Sequence, residues 1–456
     1  MKFLRPIFVL LLSGLVSPSL LASPAQSSSC TIKPGRYLGW DSQTVVNRWV
    51  TLTFVPQLGG RLMQVEFNGH AYLFSNPRFR GQYISPTEAK GDWINYGGDK
   101  VWPMPEGNQD EHHWVIQSTA IDDLPYRFET ISQGERCTVR LTGQPDTITG
   151  MRIVRTVTLE ASSPEIRFHA VMENTTRHPI TWSIQSVSQY DLADPDHPED
   201  FNHNFWAYTP RSADSSFPDG YHVRYGLAED PAFSTNDDLF RLHWSYFGNE
   251  VWLDTPAGWL TIVDKTRHYG MVEHFSFVKS GEYPGKTTVI FYKNGPHVQF
   301  DKKGTASIRE ASPDTTPYYM EAEINSPIVS LAPGESYAFD TIWHPIAIAS
   351  EPKLVSDPGV VTSTLSAISQ PGGITLRGDF SVFFPGHLVA VVYSSGGAEI
   401  RRDELTSVDP AQPVQLNTNL PAAPRAHRVA LKLLSDSGED WGTLASAIIA
   451  TDDVVR

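Results

Sequence analysis

The stretch VTLTFVPQLGGRLMQVEFNGHAYLF, residues 50–74, predicts two β-strands and two turns. A first strand ends at Pro56, the pair Gly59-Gly60 follows, and a second strand runs from Arg61 to the dipeptide Asn68-Gly69. Asn-Gly between alternating strands is a strong signal for a two-residue hairpin turn, because both residues adopt positive φ at low cost. The stretch therefore indicates antiparallel sheet near the start of the chain.

The same alternation extends from about residue 36 to residue 349. In residues 151–159 apolar side chains share one face and polar side chains the other, and residues 165–173 repeat this pattern. Such alternation is typical of half-buried antiparallel strands. No segment keeps apolar residues at helical spacing over about a dozen residues, so we expect few and short helices. The pattern predicts an all-β sandwich or barrel, and its size favours two large packed sheets.

Composition and charge limit the class of protein and of partner. The chain has 456 residues, of which 40% are hydrophobic and 19% charged, so it can bury a large core. With 51 acidic and 36 basic side chains, the formal net charge is −15. Because phosphate binding needs clustered Lys and Arg and the sequence has no basic block, we expect no nucleic-acid or anionic-membrane partner.

The N-terminus has the pattern of a secretory signal peptide. Lys2 and Arg5 precede an apolar run at residues 7–16, and small residues near Ala25 offer a cleavage site. The run is too short for a stable membrane span, which takes about 20 apolar residues. We therefore expect residues 1–25 to be removed and the protein to be secreted, either periplasmic or extracellular.

The only two cysteines, Cys30 and Cys137, suggest one disulfide, because a secreted protein folds in an oxidising compartment. Lipid attachment at Cys30 is the alternative, although the preceding Ser27, Ser28 and Ser29 lack the apolar residue that a lipoprotein signal places there. Two isolated thiols do not support a zinc or thiol-catalytic site. The sequence predicts no metal or cofactor.

A change in composition divides the chain after the long alternating region. Residues 26–349 would form the main domain, and residues 350–373, where Ala, Ser, Pro and Val replace the aromatic residues, a linker. Residues 374–456 would form a small β-domain with a structural role or a partner-docking role. Its predicted strands are residues 374–384, 388–393 and 428–434.

Four stretches resemble the galactose mutarotase-like (aldose 1-epimerase-like) superfamily when taken together. Their order and spacing are similar in particular to an uncharacterised family of secreted bacterial proteins within it, and the resemblance covers about residues 36–349. The stretches are residues 50–74, NYGGDKVWPMPEG at 95–107, WLDTPAGWLTIVDKT at 252–266, and YYMEAEINSPIVSLAPGESYAFDTIWHP at 318–345.

The resemblance implies a galactose mutarotase-like supersandwich, followed here by a small C-terminal β-sandwich-like domain. Such a supersandwich packs two large twisted antiparallel sheets face to face, and its concave sheet carries an open sugar-binding cleft. Catalytic members of the superfamily interconvert the anomers of aldoses with a histidine acid and a glutamate base. Because fold does not determine function, each residue needs its own examination.

Glu321 and Glu323 are the candidates for a catalytic base, and Glu323 is the better one. They lie two residues apart, so on a strand they point to the same face, where each carboxylate raises the proton affinity of the other. That property suits a general base. The alternative is a solvated polar face opposite Met320 and Ala322.

The sequence departs from the mutarotases at the acid. The corresponding run, residues 174–190, places Gln185 or Ser186 near the position of the family histidine, and neither side chain titrates near neutral pH. His112 and His113 lie elsewhere, in DEHHWV at residues 110–115. They would point to opposite faces of a strand, so only one could enter the cleft, and their spacing does not support a metal site.

Ligand contacts are expected mainly from the Gly- and Pro-rich segment 95–106. Aromatic rings stack on the CH faces of sugars, and amide, carboxylate and cationic groups bind their hydroxyls. The alternative for Trp102 and Pro103 is that they pack a loop onto the sheet. The candidate ligand-binding residues are Asn95, Lys100, Trp102 and Glu106, together with Arg61, Gln185 and Asp254.

These observations favour a secreted carbohydrate-binding protein that recognises a sugar in the concave sheet. One alternative is an aldose epimerase or another acid-base carbohydrate-active enzyme. Another is a non-catalytic envelope protein with a vestigial cleft, whose C-terminal domain docks a partner protein.

Overall fold

The computed structural model describes most of the chain from residue 29 onward. Residues 1–25, the expected signal peptide, and His112 lie outside the described residues. The described residues are 29–107, 113–117, 119–197, 200–236, 238–244, 247–300, 303, 305–309 and 318–451.

Antiparallel strands dominate the part of the chain up to Ala347. Numbered in chain order, they are β1 Thr31–Tyr37, β2 Trp40–Val46, β3 Val50–Val55, β4 Arg61–Phe67, β5 His70–Ala71, β6 Asp99–Met104, β7 Arg127–Ser132, β8 Arg136–Thr142, β9 Met151–Glu160, β10 Ile166–Asn174, β11 Ile180–Asp191, β12 Phe205–Pro210, β13 His222–Tyr225, β14 Phe233–Asn236, β15 Leu239–His243, β16 Asn249–Leu253, β17 Trp259–Asp264, β18 Tyr269–Phe275, β19 Val289–Lys293, β20 His297–Phe300, β21 Ala306–Arg309, β22 Tyr319–Asn325, β23 Val329–Leu331 and β24 Ser336–Ala347.

The remaining strands belong to the C-terminal part, and helices are few and short among the described residues, as predicted. Helix α1, Pro86–Ala89, has a capping box in which Ser85 and Glu88 satisfy each other's backbone N–H groups. Two 3₁₀ turns, Pro77–Phe79 and Pro284–Lys286, complete the helical content of the described chain. The C-terminal strands are β25 Leu354–Ser356, β26 Gly359–Gln370, β27 Gly373–Val382, β28 Gly386–Ser394, β29 Glu399–Val408, β30 Val414–Leu420, β31 Ala426–Leu434 and β32 Asp440–Thr451.

Two large sheets form the main body. Sheet A has twelve strands, with the order β1-β2-β3-β4-β6-β11-β22-β19-β16-β13, while β5 pairs with β4 and β23 with β11. Sheet B has ten strands, with the order β14-β15-β12-β17-β18-β24-β10-β9-β8-β7. Strands β20 and β21 form a separate two-stranded ribbon. The all-β prediction with two large sheets is confirmed.

The two sheets pack through their apolar faces. Alternation in β9 buries every second residue, as the sequence predicts, and in β22 it turns Met320, Ala322 and Ile324 toward the core. Full burial of one such side chain contributes roughly 1.5–3 kcal/mol, so the shared core stabilises both sheets. Sheet A contributes Leu52, Val65, Ile184, Phe291 and Met320 to this core, and sheet B contributes Val157, Phe168, Ile262, Met271 and Trp343.

The structure corrects the prediction that residues 350–373 form a linker. Most of this range forms β25 and β26, and β26 pairs antiparallel with β27 and parallel with β32. Its small side chains, which suggested a flexible connection, alternate between buried and exposed positions along β26. Small and β-branched residues fit a half-buried strand as well as a linker, so composition did not distinguish the two.

The C-terminal strands form one eight-stranded sheet, sheet C, in the order β29-β28-β31-β32-β26-β27-β30 with β25 on β26. Its apolar side chains share a core with the outer face of sheet B. Contributors from sheet B include Tyr208, Trp259, Val272 and Ile346, and contributors from sheet C include Leu376, Phe380, Leu388 and Leu431. Strands β12, β17 and β18 of sheet B are therefore covered on both faces, whereas Arg167 and His169 of β10 are exposed. No helix in the described residues is long and apolar enough to span a membrane.

A disulfide links Cys30 to Cys137, with 5.8 Å between their Cα atoms. Cys30 directly precedes β1 of sheet A, and Cys137 lies in β8 of sheet B. The bridge therefore fastens an edge of one sheet to the other. An adjacent backbone hydrogen bond from Cys30 N to Gly134 O, 2.7 Å long, holds the same junction.

Candidate functional site

The registers of sheet A place two rows of side chains on the face that points away from the core. Residues directly opposite each other on paired strands share a face of the sheet. The rows cross β6, β11, β22, β19, β16 and β13 near the middle of the sheet. The first row is Gln189, Glu321, Tyr292, Glu250 and Tyr225, and the second is Lys100, Val187, Glu323, Ile290 and Trp252.

A pocket of about 280 Å³ opens over these rows. This volume lies near the lower end of the range for small-molecule sites, roughly 300–1,000 Å³. The structure thus brings together four of the residues expected at the site, Trp102, Glu106, Glu321 and Glu323. The complete lining is Trp93, Trp102, Glu106, Ile116, Tyr225, Glu250, Ile290, Tyr292, Tyr319, Glu321 and Glu323.

Glu321 and Glu323 form the floor of the pocket. Each is only 8% exposed, so the alternative of a solvated polar face is wrong. Gln189 Nε2 donates a hydrogen bond of 2.6 Å to Glu321 Oε1, and Gln185 Nε2 donates one of 2.5 Å to Glu323 Oε2. Gln185, a predicted ligand contact, is 2% exposed and positions Glu323 from the neighbouring strand.

Burial and crowding raise the pKa values of the pocket carboxyls. Burial, followed by repulsion from Glu321 and Glu250, raises the pKa of Glu323 well above its usual value. Burial also raises the pKa of Glu321, although Lys100 opposes this effect. Loss of hydration and the neighbouring Glu250 and Glu321 raise the pKa of Glu106 to about 7, although by its surface area Glu106 is an exposed residue. Burial likewise raises the pKa of Glu250.

Lys100 is the buried cation next to this floor. The residue is 3% exposed, and its Nζ lies 3.8 Å from the ring centroid of Trp102 and 4.8 Å from that of Trp93. The nearest carboxylate atom, Glu321 Oε1, is 4.0 Å away. Among the described residues Nζ has no hydrogen-bond acceptor. Burial, with a contribution from Arg61, lowers the pKa of Lys100 to about 8.

Asp122 fixes the two indole rings of the pocket from behind. Its carboxylate accepts hydrogen bonds from Trp102 Nε1 at 2.9 Å and Trp93 Nε1 at 3.0 Å. It also accepts one from Arg61 Nη2 at 2.6 Å, and both side chains of this ion pair are fully buried. Arg61 therefore supports the pocket wall and does not reach its surface, contrary to the expectation of a ligand contact.

Three further expected residues lie outside the pocket lining. Asn95 shapes the backbone, since its Oδ1 accepts from Gly97 N at 3.1 Å. Asp254 lies in a separate groove, where it accepts from Ser215 Oγ at 2.7 Å. His113 is half-buried and is not part of the lining, and His112 lies outside the described residues. Among the described residues no histidine lines this pocket.

Sequence reasoning missed several residues of the site. Glu250 had a usable signal, because the alternation in NEVWL, residues 249–253, places Glu250 and Trp252 on one face. Tyr292 follows the same logic in VIFYK, residues 289–293. Asp122 had no signal in the sequence, because it lies in a turn and meets the indoles of Trp93 and Trp102 only after the chain has folded.

The carboxyls of the pocket do not form a metal site by their arrangement. In the described part of the chain, no group of three or more His, Cys, Asp or Glu residues could hold a metal ion. The arrangement instead offers aromatic faces, hydrogen-bonding carboxyls and two groups, Glu106 and Lys100, that titrate near neutral pH.

No protein-family model and no curated protein matches the chain. Among solved structures, it is similar to a TPR-domain containing protein from Parabacteroides distasonis, with a TM-score of 0.42, 13% identity and 69% of this chain covered. The chain covers 53% of that protein's length.

Two further solved structures resemble it over most of their own length. A galactose mutarotase-like protein from Clostridium acetobutylicum gives a TM-score of 0.42 at 9% identity, with 70% of this chain and 100% of that chain covered. A galactose mutarotase related enzyme from Lactobacillus acidophilus gives 0.40 at 12% identity, with 69% and 100% covered. At these scores, the fold of the protein rests on its own two packed sheets and not on the likeness.

Proposed function

We propose that the protein binds a saccharide in the pocket of sheet A. The observation that carries this proposal is the combination of fixed indole rings with inward-pointing carboxyls in one small cavity. Indole faces stack on the apolar CH faces of a sugar ring, and carboxyl and amide groups bind its hydroxyls. Because Asp122 holds Trp93 and Trp102 in place, little side-chain entropy is lost when a ring stacks on them.

The ammonium group of Lys100 supports an oxygen-rich ligand. A buried donor without an acceptor costs free energy, and a charged donor costs more than a neutral one. Lys100 lies beneath the pocket beside Trp102 and Glu321, and its positive charge favours electronegative oxygen atoms in the pocket above it. The small volume suits one sugar ring, as in a monosaccharide or the terminal unit of a longer chain.

Calorimetric titration with a panel of monosaccharides tests the proposal. Trp93→Ala should lower the affinity about tenfold, since an aromatic stacking contact contributes roughly 0.5–1.5 kcal/mol beyond the burial of its surface. Trp441→Phe, in sheet C, is the matched control and should bind as the wild type does. The absence of binding heat with every mono- and oligosaccharide would contradict the proposal. Circular dichroism of Trp93→Ala separates lost binding from lost folding.

A second candidate function is acid-base catalysis on an aldose. Opening the ring requires one group at the anomeric hydroxyl and one at the ring oxygen, both with pKa values near the working pH. Two pKa values near neutral pH favour catalysis. They are about 7 for Glu106 and about 8 for Lys100. Glu323 or Glu321 would act as the base.

Polarimetry distinguishes catalysis from binding alone. If the protein is an epimerase, it should accelerate mutarotation of at least one aldose, and Glu323→Gln, Glu321→Gln or Glu106→Gln should abolish the acceleration while retaining sugar binding. Binding without acceleration in the wild type would leave the protein as a non-catalytic sugar-binding protein.

We further propose that the protein is exported. The basic start and apolar run of residues 1–25 support this location, and the Cys30–Cys137 disulfide is of the kind that persists in oxidising compartments. Cell fractionation of the full chain and of a chain lacking residues 1–25 tests it. The truncated chain should stay in the cytoplasm, and equal distribution of both would contradict export. Partner docking by sheet C remains a prediction.

A further inference from the structure

The charges of the pocket are unevenly distributed across sheet A. Four carboxyls line it, Glu106, Glu250, Glu321 and Glu323, and no cationic side chain of the described chain does. Lys100 compensates only part of this charge from beneath, because its Nζ lies beside Glu321 and against the Trp102 ring.

Lys100 begins the second row, and Glu250 lies near the far end of the first row. Strands β11, β22 and β19 separate β6, which carries Lys100, from β16, which carries Glu250. With strands about 4.8 Å apart, the two backbones are roughly 19 Å apart. Glu106 lines the same pocket from the segment that follows β6.

The Glu250 end therefore lacks an equivalent of Lys100. Arg224 is the cation with an effect there, but it is exposed, and its guanidinium lies over the Trp252 ring at 5.8 Å. Tyr225 and Tyr292 lie on either side of Glu250 in the first row, and both line the pocket. Carboxylates framed by aromatic faces form a favourable site for an organic ammonium group, through ion pairing and cation–π attraction.

We propose that the saccharide is an amino sugar with a free ammonium group, which binds beside Glu250 between Tyr225 and Tyr292 while its hydroxyls lie toward the Lys100 end of the pocket. This inference rests on the proposed function and names its ligand class. A neutral sugar satisfies the Lys100 end only and leaves the carboxyls of the other end without a cation. A metal ion does not fit, because the described carboxyls offer no set of three that could hold one.

Calorimetry near neutral pH tests the inference with matched trios of ligands. Glucosamine, galactosamine and mannosamine are each compared with the parent hexose and with the N-acetyl derivative, which keeps the nitrogen but removes its charge. At least one amino sugar should bind about tenfold more tightly than both of its neutral counterparts, as expected for one charge-assisted hydrogen bond.

Glu250→Gln tests the position of the ammonium group. The glutamine can still accept the hydrogen bond that Trp252 Nε1 donates to Glu250, so the pocket wall is preserved. The variant should lose the preference for the amino sugar and retain its affinity for the parent hexose. Glu404→Gln, on the exposed surface of sheet C, is the control and should change neither affinity.

The outcomes separate this inference from the proposed function. Equal or tighter binding of the parent hexose overturns the amino-sugar inference and leaves saccharide binding intact. Equal binding of ethanolamine also overturns it, because the pocket would then select an amine without a sugar ring. The absence of heat with every sugar overturns the proposed function together with the inference.

Discussion

Glu323 carries the first prediction at the scale of single residues. Burial and the neighbouring Glu321 and Glu250 raise the pKa of Glu323 well above its usual value, so its neutral form costs less here than in water, and glutamine is a neutral side chain of the same shape. Glu323→Gln should therefore change the free energy of unfolding by less than about 1 kcal/mol, whereas Glu323→Ala, which leaves the Gln185 amide without its acceptor, should lower it by about 1–3 kcal/mol. Urea denaturation measures both, and equal losses for the two variants would contradict this prediction.

Glu273 of β18 is a second buried carboxyl, in the core between the sheets. Its Oε1 accepts hydrogen bonds from Tyr190 OH and, at 3.1 Å, from Ser188 Oγ. Burial raises its pKa from 4.5 to about 8. Between these values the folded state keeps a proton that the unfolded state releases, so this carboxyl lowers the free energy of unfolding by about 1.4 kcal/mol per pH unit as the pH rises.

Glu273→Gln should remove that dependence. The difference in free energy of unfolding between the variant and the wild type should grow in favour of the variant from pH 4.5 to about pH 8 and then level off. Taking the difference at each pH cancels the contributions of the other titrating groups. A difference that stays constant over this range would show that Glu273 has an ordinary pKa.

Two glycines carry the prediction at the scale of structural elements. Gly59 and Gly69 both have positive φ, 61° and 79°. A Cβ at Gly59 would lie 2.0 Å from Asp122 O, whereas a Cβ at Gly69 would meet nothing within 4 Å. The turn at Gly59 therefore packs directly against the segment that presents Asp122 to the pocket indoles.

Gly69→Ala should lower the free energy of unfolding by about 1–2 kcal/mol, the cost of the left-handed backbone. Gly59→Ala adds a collision with backbone, so it should cost roughly 1–3 kcal/mol more and also weaken saccharide binding. Thermal denaturation and calorimetry give the two readouts. Equal effects of the two substitutions would contradict the role of the Gly59 turn.

The elements show how far sequence reasoning reaches. Alternation in β9 and the Asn68-Gly69 turn are local patterns, and both appear where the sequence predicts them. The face shared by Glu321 and Glu323 was also predictable, because it depends only on the period of a strand. The place of β22 in the middle of sheet A was not predictable. That place buries the two carboxyls and brings Tyr292 and Glu250 close to them.

The missed features are those that depend on distant parts of the chain. Asp122 and Arg61 pair across 61 positions, and no local pattern records such a contact. The linker prediction failed for a related reason, since β26 gains its partner β32 from the far end of the chain. Long-range strand pairing therefore decides both the support of the pocket and the extent of sheet C.

At the scale of the whole molecule, the Cys30–Cys137 disulfide closes a loop with a sequence separation of 107. In the chain-entropy description, such a loop contributes roughly 4–5 kcal/mol of stability by restricting the unfolded state. Replacing both cysteines by alanine should lower the free energy of unfolding by about this amount. Wild-type protein denatured with a reductant should behave in the same way, and no difference between oxidised and reduced protein would contradict the prediction.

Histidines at the contact between sheets B and C predict sensitivity to acid. Burial lowers the pKa of His274 from 6.5 to about 4, and burial together with His274 lowers the pKa of His344 well below its usual value. The His344 ring stacks on Phe383 of sheet C with 4.1 Å between centroids. Below pH 6.5 these histidines therefore bind protons more readily in the unfolded state than in the folded state. The free energy of unfolding falls as the pH decreases through this range.

His344→Phe keeps an aromatic ring against Phe383 and cannot be protonated. Between neutral pH and about pH 5, it should lose less free energy of unfolding than the wild type, by up to about 1.4 kcal/mol per pH unit. His178→Gln, at an exposed position, is the control and should follow the wild type. Parallel curves for His344→Phe and the wild type would exclude His344 as an acid-sensitive group.

The contact of β12, β17 and β18 with sheet C constrains how this protein can change over evolution. Tyr208 and Trp259 belong to a hydrophobic surface of sheet B that would be exposed to water without sheet C. If recombination replaced the strands of sheet C, the new segment would have to fit this hydrophobic surface of sheet B at once. The pocket of sheet A and the C-terminal sheet are therefore expected to be inherited as one unit, even though they lie on opposite sides of the molecule.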